Sequence, residues 1–231
     1  MKSNSMPKKR EKIAISHIRK KLLRWQSHHG RNYPWRESVD PFRVLMAEIM
    51  LIRTKPEQVV RVYDKLFTNY PDFSSLKLAT TEEIDEIVKS LGLNWRSSVF
   101  SIILKEMKDR FHGRVPDSRK DLKSLTGVGD YVAGAVLSIA FNRKEWMVDV
   151  NIGRAIKRYF GIKTGKETRR NRRIIEVAKL YAQCSTPGLA NLAILDFSTL
   201  ICKSGNPGCT ICPISHGCRF LKSQSGLAKV S

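Results

Sequence analysis

The stretch 124–161, "SLTGVGDYVAGAVLSIAFNRKEWMVDVNIGRAIKRYFG", places two glycines at the mouth of an apolar segment and later one aspartate ahead of a basic segment. Leu122 and Leu125 read as the end of one helix, Gly127 and Gly129 as the turn, and Tyr131 as the start of a helix over 131–141. Glycines at such a turn let another group come close to the backbone, and the unpaired N–H groups of a helix start suit a phosphate. Asp149 precedes a helix expected from about 151 to 160. It reads either as that helix's N-cap or as a carboxylate with chemistry to do.

Outward from this stretch, apolar residues recur at helical spacing in segment after segment, with no alternating period-2 run and no Asn-Gly or Asp-Gly hairpin. In "EKIAISHIRKKLLRWQSHH", Ile15, Ile18, Leu22 and Trp25 form one stripe of a basic amphipathic helix. "DPFRVLMAEIMLIRT" opens on Asp40 as a cap with Pro41 in the first turn. Helices are also predicted for "PEQVVRVYDKLFTNY", "TEEIDEIVKSLG" and "SSVFSIILKEMKDRF", and near 168–182 and 189–201. The predicted fold class is all-α.

Among 231 residues, 42 are Lys or Arg and 21 are Asp or Glu, a formal charge of +21. That surplus favours a polyanion, because each neutralised phosphate releases condensed counterions; a membrane surface is the weaker alternative. Residues 1–24 hold nine Lys or Arg against Glu11 alone, and 151–183 hold ten against Glu167 and Glu176. No apolar run reaches the ~18 residues of a membrane span, and the N-terminus lacks a signal-peptide core. An intracellular, soluble, cytoplasmic and nucleoid-associated protein is expected, with no membrane partner.

Four of the five cysteines, Cys202, Cys209, Cys212 and Cys218, fall in the pattern C-x6-C-x2-C-x5-C. Four thiols in seventeen residues, interleaved with Gly and Pro, form a tetrathiolate pattern that suits zinc and a [4Fe–4S] cluster equally. Cys184 lies outside it and reads as a small core residue.

The hairpin, Asp149 within "MVDVNIGRAIKRYFG" and the cysteine tail together resemble the iron–sulfur branch of the helix–hairpin–helix DNA glycosylases, the endonuclease III/MutY superfamily. "YPWR", "AEIMLIRT" and "RYFG" look closest to its archaeal mismatch-specific thymine glycosylases. The resemblance runs from "YPWR" at 33–36 to Cys218, and it implies a [4Fe–4S] cluster on the four cysteines. It further implies a six-helix barrel over about 30–143, with the hairpin near 120–141, and a second domain made of 1–29 and 144–231. Double-stranded DNA with a mispaired base would bind a monomer, the target nucleotide flipped out, and a separate endonuclease would process the abasic site.

The resemblance also implies residue roles. Bifunctional members carry a lysine nucleophile where this chain has Tyr131, and a phenol cannot form a Schiff base, so a monofunctional enzyme is expected. Asp149 matches the family's catalytic aspartate, stabilising positive charge on the sugar or orienting water. Glu48, set among apolar neighbours, would contact the base edge or position water; an internal ion pair is the alternative. Gly127, Val128 and Gly129 would hold a phosphate. Arg53 would fill the gap left by the flipped nucleotide or contact the orphaned guanine. Leu93, Asn94 and Trp95 match the loop that probes the opposite strand.

Two departures stand out. Thr126 replaces the usual Pro and is expected to loosen the turn, and Asp130 puts negative charge beside the phosphate site. With thirteen residues after Cys218, the domain with which MutY reads oxidised guanine is not expected here. Thymine or uracil excision from mispairs with guanine is the leading expectation. Adenine excision opposite guanine or 8-oxoguanine, and a non-catalytic DNA-binding protein, are the alternatives.

Overall fold

The computed structural model describes residues 9–92, 95–165 and 167–227, and all its regular secondary structure is helical. The chain divides into two compact units, residues 32–143 and residues 1–31 with 144–231.

The 32–143 unit begins with two short segments, α2 (Pro34–Glu37) and α3 (Pro41–Leu51). Asp40 caps α3 by accepting from the Arg43 amide, with Pro41 in the first turn. Next come α4 (Pro56–Asn69), α5 (Phe73–Leu76), α6 (Thr81–Val88), α7 (Trp95–Phe111), α8 (Arg119–Leu122) and α9 (Asp130–Ile139). A capping box between Thr80 and Glu83 starts α6. α3 is buried nearly all round, from Phe42 to Met50, and packs against α4, α7 and α9. Its Leu45, Met46, Ile49 and Met50 join Leu66, Phe100, Ile103 and Val136 in one core.

The other unit holds α1 (Lys9–His29), α10 (Val150–Phe160), α11 (Arg172–Tyr181), α12 (Pro187–Leu200) and α13 (Arg219–Leu227). The predicted stripe of α1 is the buried one: Ile15, Ile18 and Leu22 face inward, and α1 packs on α11 and α12. Asp196 of α12 is fully buried, and Arg31 reaches it with its amide (2.9 Å) and Nε (2.8 Å). That pair fixes the chain where it leaves α1.

Several predicted boundaries moved. α9 ends at Ile139, and the helix before the hairpin is a single turn, so Leu125 lies beyond it. α11 starts at Arg172 rather than near 168, because the Asn171 side chain accepts from the Arg173 and Ile174 amides and sets the cap there.

Candidate functional site

In the 32–143 unit, Glu48 lies on α3 and Tyr131 on α9, two helices packed on each other. Glu48 is only 6% exposed, flanked by Ala47 and Ile49 at 0%. Tyr131 is half-buried at the second position of α9, its ring against the core. A buried carboxylate and a half-buried phenol thus lie on two helices that pack together.

The hairpin is pinned from α7. Arg110 donates to the Ser124 carbonyl (3.1 Å) and hydroxyl (2.6 Å). Glu106 accepts from the Thr126 amide (2.8 Å) and hydroxyl (2.9 Å). This corrects the expectation that Thr126 loosens the turn. A proline there has no N–H to give Glu106, whereas threonine supplies two donors and ties the turn down.

The two glycines do different work. Gly127 has φ +79°, and a Cβ there would stand 3.1 Å from Val99 Cγ1. Its own fold therefore demands glycine. Gly129 has φ −95°, and a Cβ there would meet nothing within 4 Å. Nothing in the unit itself excludes a side chain at 129, so open space faces this backbone. Val128 turns its side chain into the core, and its amide is used within the turn, on the Leu125 carbonyl at 3.2 Å.

Asp130 neither caps α9, whose N-cap is Gly129, nor points freely outward. Lys123 lies 2.8 Å from its carboxylate and Arg119 3.5 Å, and the Lys123 contact holds the carboxyl below its usual range. The negative charge noted beside the expected phosphate site is thus internally offset. Arg53, just past α3, is exposed with φ +55°, a left-handed conformation that costs a non-glycine residue ~1 kcal/mol or more and that gathers at functional sites. Leu93 and Asn94 lie outside the described residues, and Trp95 is described only as the first residue of α7.

In the other unit, Asp149 is the N-cap of α10, which starts at Val150, one residue earlier than expected. Its Oδ1 accepts from the Ile152 amide at 2.7 Å, and Oδ2 from Asn151 Nδ2 at 2.8 Å. The capping reading is therefore realised. It leaves a carboxylate oriented by two donors, half-buried at the positive end of a helix. The Asn151 side-chain Oδ1 accepts from Arg154 Nη1 (2.9 Å), and Arg154 also donates to the backbone carbonyls of Cys202 (3.0 Å) and Ser198 (2.8 Å). Sequence reasoning missed Asn151 and Arg154. Their i+2 and i+5 spacing from Asp149 on one helix was the available signal.

Cys202, Cys209, Cys212 and Cys218 line one cavity with Tyr159, Ile201, Pro207 and Phe220. Burial, and then the neighbouring thiols, push Cys209 and Cys212 up, Cys212 to about 11. Arg158 Nη1 lies 3.6 Å from Cys202 Sγ, donates to the Lys203 carbonyl (2.6 Å), and its guanidinium stacks 4.6 Å over Phe220. Four thiols around one void, with a cation beside them, fit a group that needs thiolate ligands. The thiols are nonetheless not drawn together as a preformed site: among the described residues no three His, Cys, Asp or Glu side chains stand at ion-holding distances. Cys184 is half-buried outside this group. No described helix is long and apolar enough to cross a membrane.

Comparison with known proteins gives this geometry a lineage. Residues 46–180 match the HhH-GPD superfamily base excision DNA repair protein model. A thymine/uracil-DNA glycosylase from Pyrobaculum aerophilum is 35% identical, covering 92% of this chain and 95% of its own. An adenine DNA glycosylase from Buchnera aphidicola is 30% identical over 86% of this chain, which spans only 56% of that relative. The solved structure of a thermostable thymine-DNA glycosylase superposes with a TM-score of 0.86 at 32% identity, covering 91% of this chain and 98% of that one. The chain belongs to the HhH-GPD superfamily of base excision DNA repair proteins.

Proposed function

We propose that this chain is a monofunctional DNA glycosylase that removes thymine or uracil mispaired with guanine in double-stranded DNA. The observation that carries the reading is the Asp149 carboxylate, oriented at a helix N-terminus by Ile152 and Asn151, in a chain so like a thymine/uracil glycosylase over almost its whole length.

The chemistry is a hydrolysis. The bond between the sugar C1′ and the pyrimidine N1 breaks, its electron pair leaves with the base, and positive charge develops on the deoxyribose. Asp149 stabilises that charge and receives a proton from the water that forms the new C1′–O bond. Glu48 stands at the base edge, where a buried carboxylate can exchange a proton with the leaving pyrimidine or hold the water. Tyr131 borders the nucleotide and carries no amine, so no Schiff base forms and the strand stays intact. Arg53 enters the gap left by the flipped nucleotide, and Gly127, Val128 and Gly129 present backbone to a phosphate. Leu93, Asn94 and Trp95 keep their expected role on the opposite strand. The 32–143 unit is the six-helix barrel, the enzyme acts as a monomer, and an abasic-site endonuclease follows it.

The four cysteines would hold a [4Fe–4S] cluster. Bound, it supplies a structural cross-link for the 202–218 loop and a one-electron centre. Arg158 balances thiolate charge at Cys202, and Arg154 ties the same loop to the helix that carries Asp149. Iron and sulfide content after anaerobic reconstitution, read with thermal stability, tests this: four irons per chain are expected, and a single zinc would refute the cluster.

Single-turnover excision on duplexes carrying T·G, U·G, A·G and A opposite 8-oxoguanine tests the function, each read with and without alkali. Product from T·G and U·G that breaks only after alkali is expected. Product confined to the adenine duplexes would instead favour the second reading, for which the similarity to an adenine glycosylase speaks.

A further inference from the structure

Lysine and arginine are divided unevenly between the units. Residues 1–31 and 144–231 hold 25 of them against 6 Asp and Glu, a formal +19, while residues 32–143 hold 17 against 15, a formal +2. Within the basic unit, contacts join three cationic segments into one surface. A Cβ on Gly153 would stand 2.8 Å from Thr168 Oγ1, so the loop before α11 lies against the first turns of α10, the helix that Asp149 caps. Arg169 follows in this loop, its guanidinium proton held more tightly by Glu167 first and by the Asp149 charge to a lesser degree. Arg170 and Arg172 are exposed beside it. Arg173 then pairs with Glu11, which brings the first turns of α1, with exposed Lys9, Arg10 and Lys12, to the start of α11.

The acids in this region are already engaged. Glu167 pairs with Arg169, Glu176 with Arg172 and Arg173, and Glu11 with Arg173. Among the described residues, no carboxylate pairs with Lys9, Arg10, Lys12 or Arg170. Uncompensated cations in a row leading away from a capped carboxylate have the charge to follow a polyanion.

We propose that this row, from Arg169 and Arg170 across the start of α11 to Lys9, Arg10 and Lys12 of α1, is a second duplex-DNA contact that holds backbone phosphates beyond the target nucleotide. It rests on the glycosylase reading for the identity of the duplex, and it reads no bases. Its contribution is therefore the same on matched and mispaired DNA, and salt removes it.

The test is equilibrium binding of the full chain to a matched, undamaged duplex over a salt series. The triple variant Lys9→Gln, Lys12→Gln, Arg170→Gln is compared with Lys65→Gln, Lys77→Gln, Lys89→Gln, which removes the same charge from exposed sites of the other unit. The first should lower the slope of log K against log salt by about 2 to 3, at about 0.9 per phosphate contact, and the second should leave it unchanged. An unchanged slope in the first variant, or an equal fall in both, overturns the proposal. Excision from T·G, followed separately under saturating enzyme, keeps the two readings apart. Excision with an unchanged slope removes only the second contact, and a lowered slope without excision on any mispair removes only the glycosylase.

Discussion

In the 32–143 unit, 15 acids nearly cancel 17 cations, and many of those acids have structural tasks. Asp40 and Asp72 cap helices, Glu83 closes a capping box, Glu106 holds the hairpin at Thr126, and Asp130 pairs with Lys123. In the other unit six acids face 25 cations. Five of the six have a specific partner: Asp149 its two donors, Asp196 its arginine, and Glu11, Glu167 and Glu176 the arginines around α11. One unit spends its carboxylates on shape and stays close to neutral; the other places a few carboxylates and leaves its cations uncovered. The glycine hairpin therefore sits in a neutral frame, while Asp149 sits in a strongly positive one. A carboxylate held by two donors at a helix N-terminus is placed to meet developing positive charge.

The strongest way to break this contrast is at Asp149. Asn is also a good N-cap and keeps an oxygen for the Ile152 amide, so Asp149→Asn should fold normally. Single-turnover excision should fall by about 10²–10⁴-fold while affinity for a mispaired duplex is retained. Unimpaired excision would remove Asp149 from the chemistry.

Asp196 tests the same unit for stability. Asp196→Ala leaves Arg31, 21% exposed, beside an emptied apolar site. Removing one partner of a buried pair costs about 3–5 kcal/mol, and partial exposure of Arg31 places this case near 3. Thermal unfolding should show a large drop in Tm, and a shift of only a degree or two would mean that the pair is structurally idle.

The hairpin offers a sharper comparison inside the neutral unit. Gly127→Ala forces a side chain into a left-handed backbone and toward Val99, and should destabilise by about 1–2 kcal/mol. Gly129→Ala meets no atom and keeps an ordinary φ, so stability should stay within about 0.5 kcal/mol. Its effect should appear in duplex affinity, as a loss of about tenfold if a phosphate contact is displaced. Equal stability losses at both positions would refute the division of labour between the two glycines.

What the sequence disclosed follows from the range of the interactions. The all-α class was legible because apolar stripes such as Ile15, Ile18 and Leu22 repeat at helical spacing. The Asp149 cap was legible because capping is local, spanning only three residues to Ile152. The single-turn helices α2, α5 and α8 were not, since four residues hold too little period to see. The grip of Glu106 on Thr126 crosses 20 residues and that of Arg31 on Asp196 crosses 165, so neither pairing left a local trace. Asn151 and Arg154 were within reach, but attention to the aspartate alone passed over the amide and guanidinium that share its helix.

The smallest expected effect probes the balance of the neutral unit itself. Asp130 is half-exposed, and its pairing with Lys123 lowers its folded pKa. A depressed carboxylate contributes stability that is fully present above its unfolded pKa, ~3.9, and is lost as pH falls through the folded value. For so exposed a pair the contribution is ~0–1 kcal/mol, so Asp130→Asn should lower stability at neutral pH by less than that and have no effect at strongly acid pH. The same change removes the carboxylate charge beside Lys123, while Arg119 keeps its bond to the Asp130 backbone carbonyl. If Asp130 is what keeps this hairpin from gripping any phosphate indiscriminately, the variant should bind matched duplex more tightly and steepen the salt slope by up to about 0.9. An unchanged slope would mean that Lys123 does not reach the backbone, and that the hairpin binds through its glycines alone.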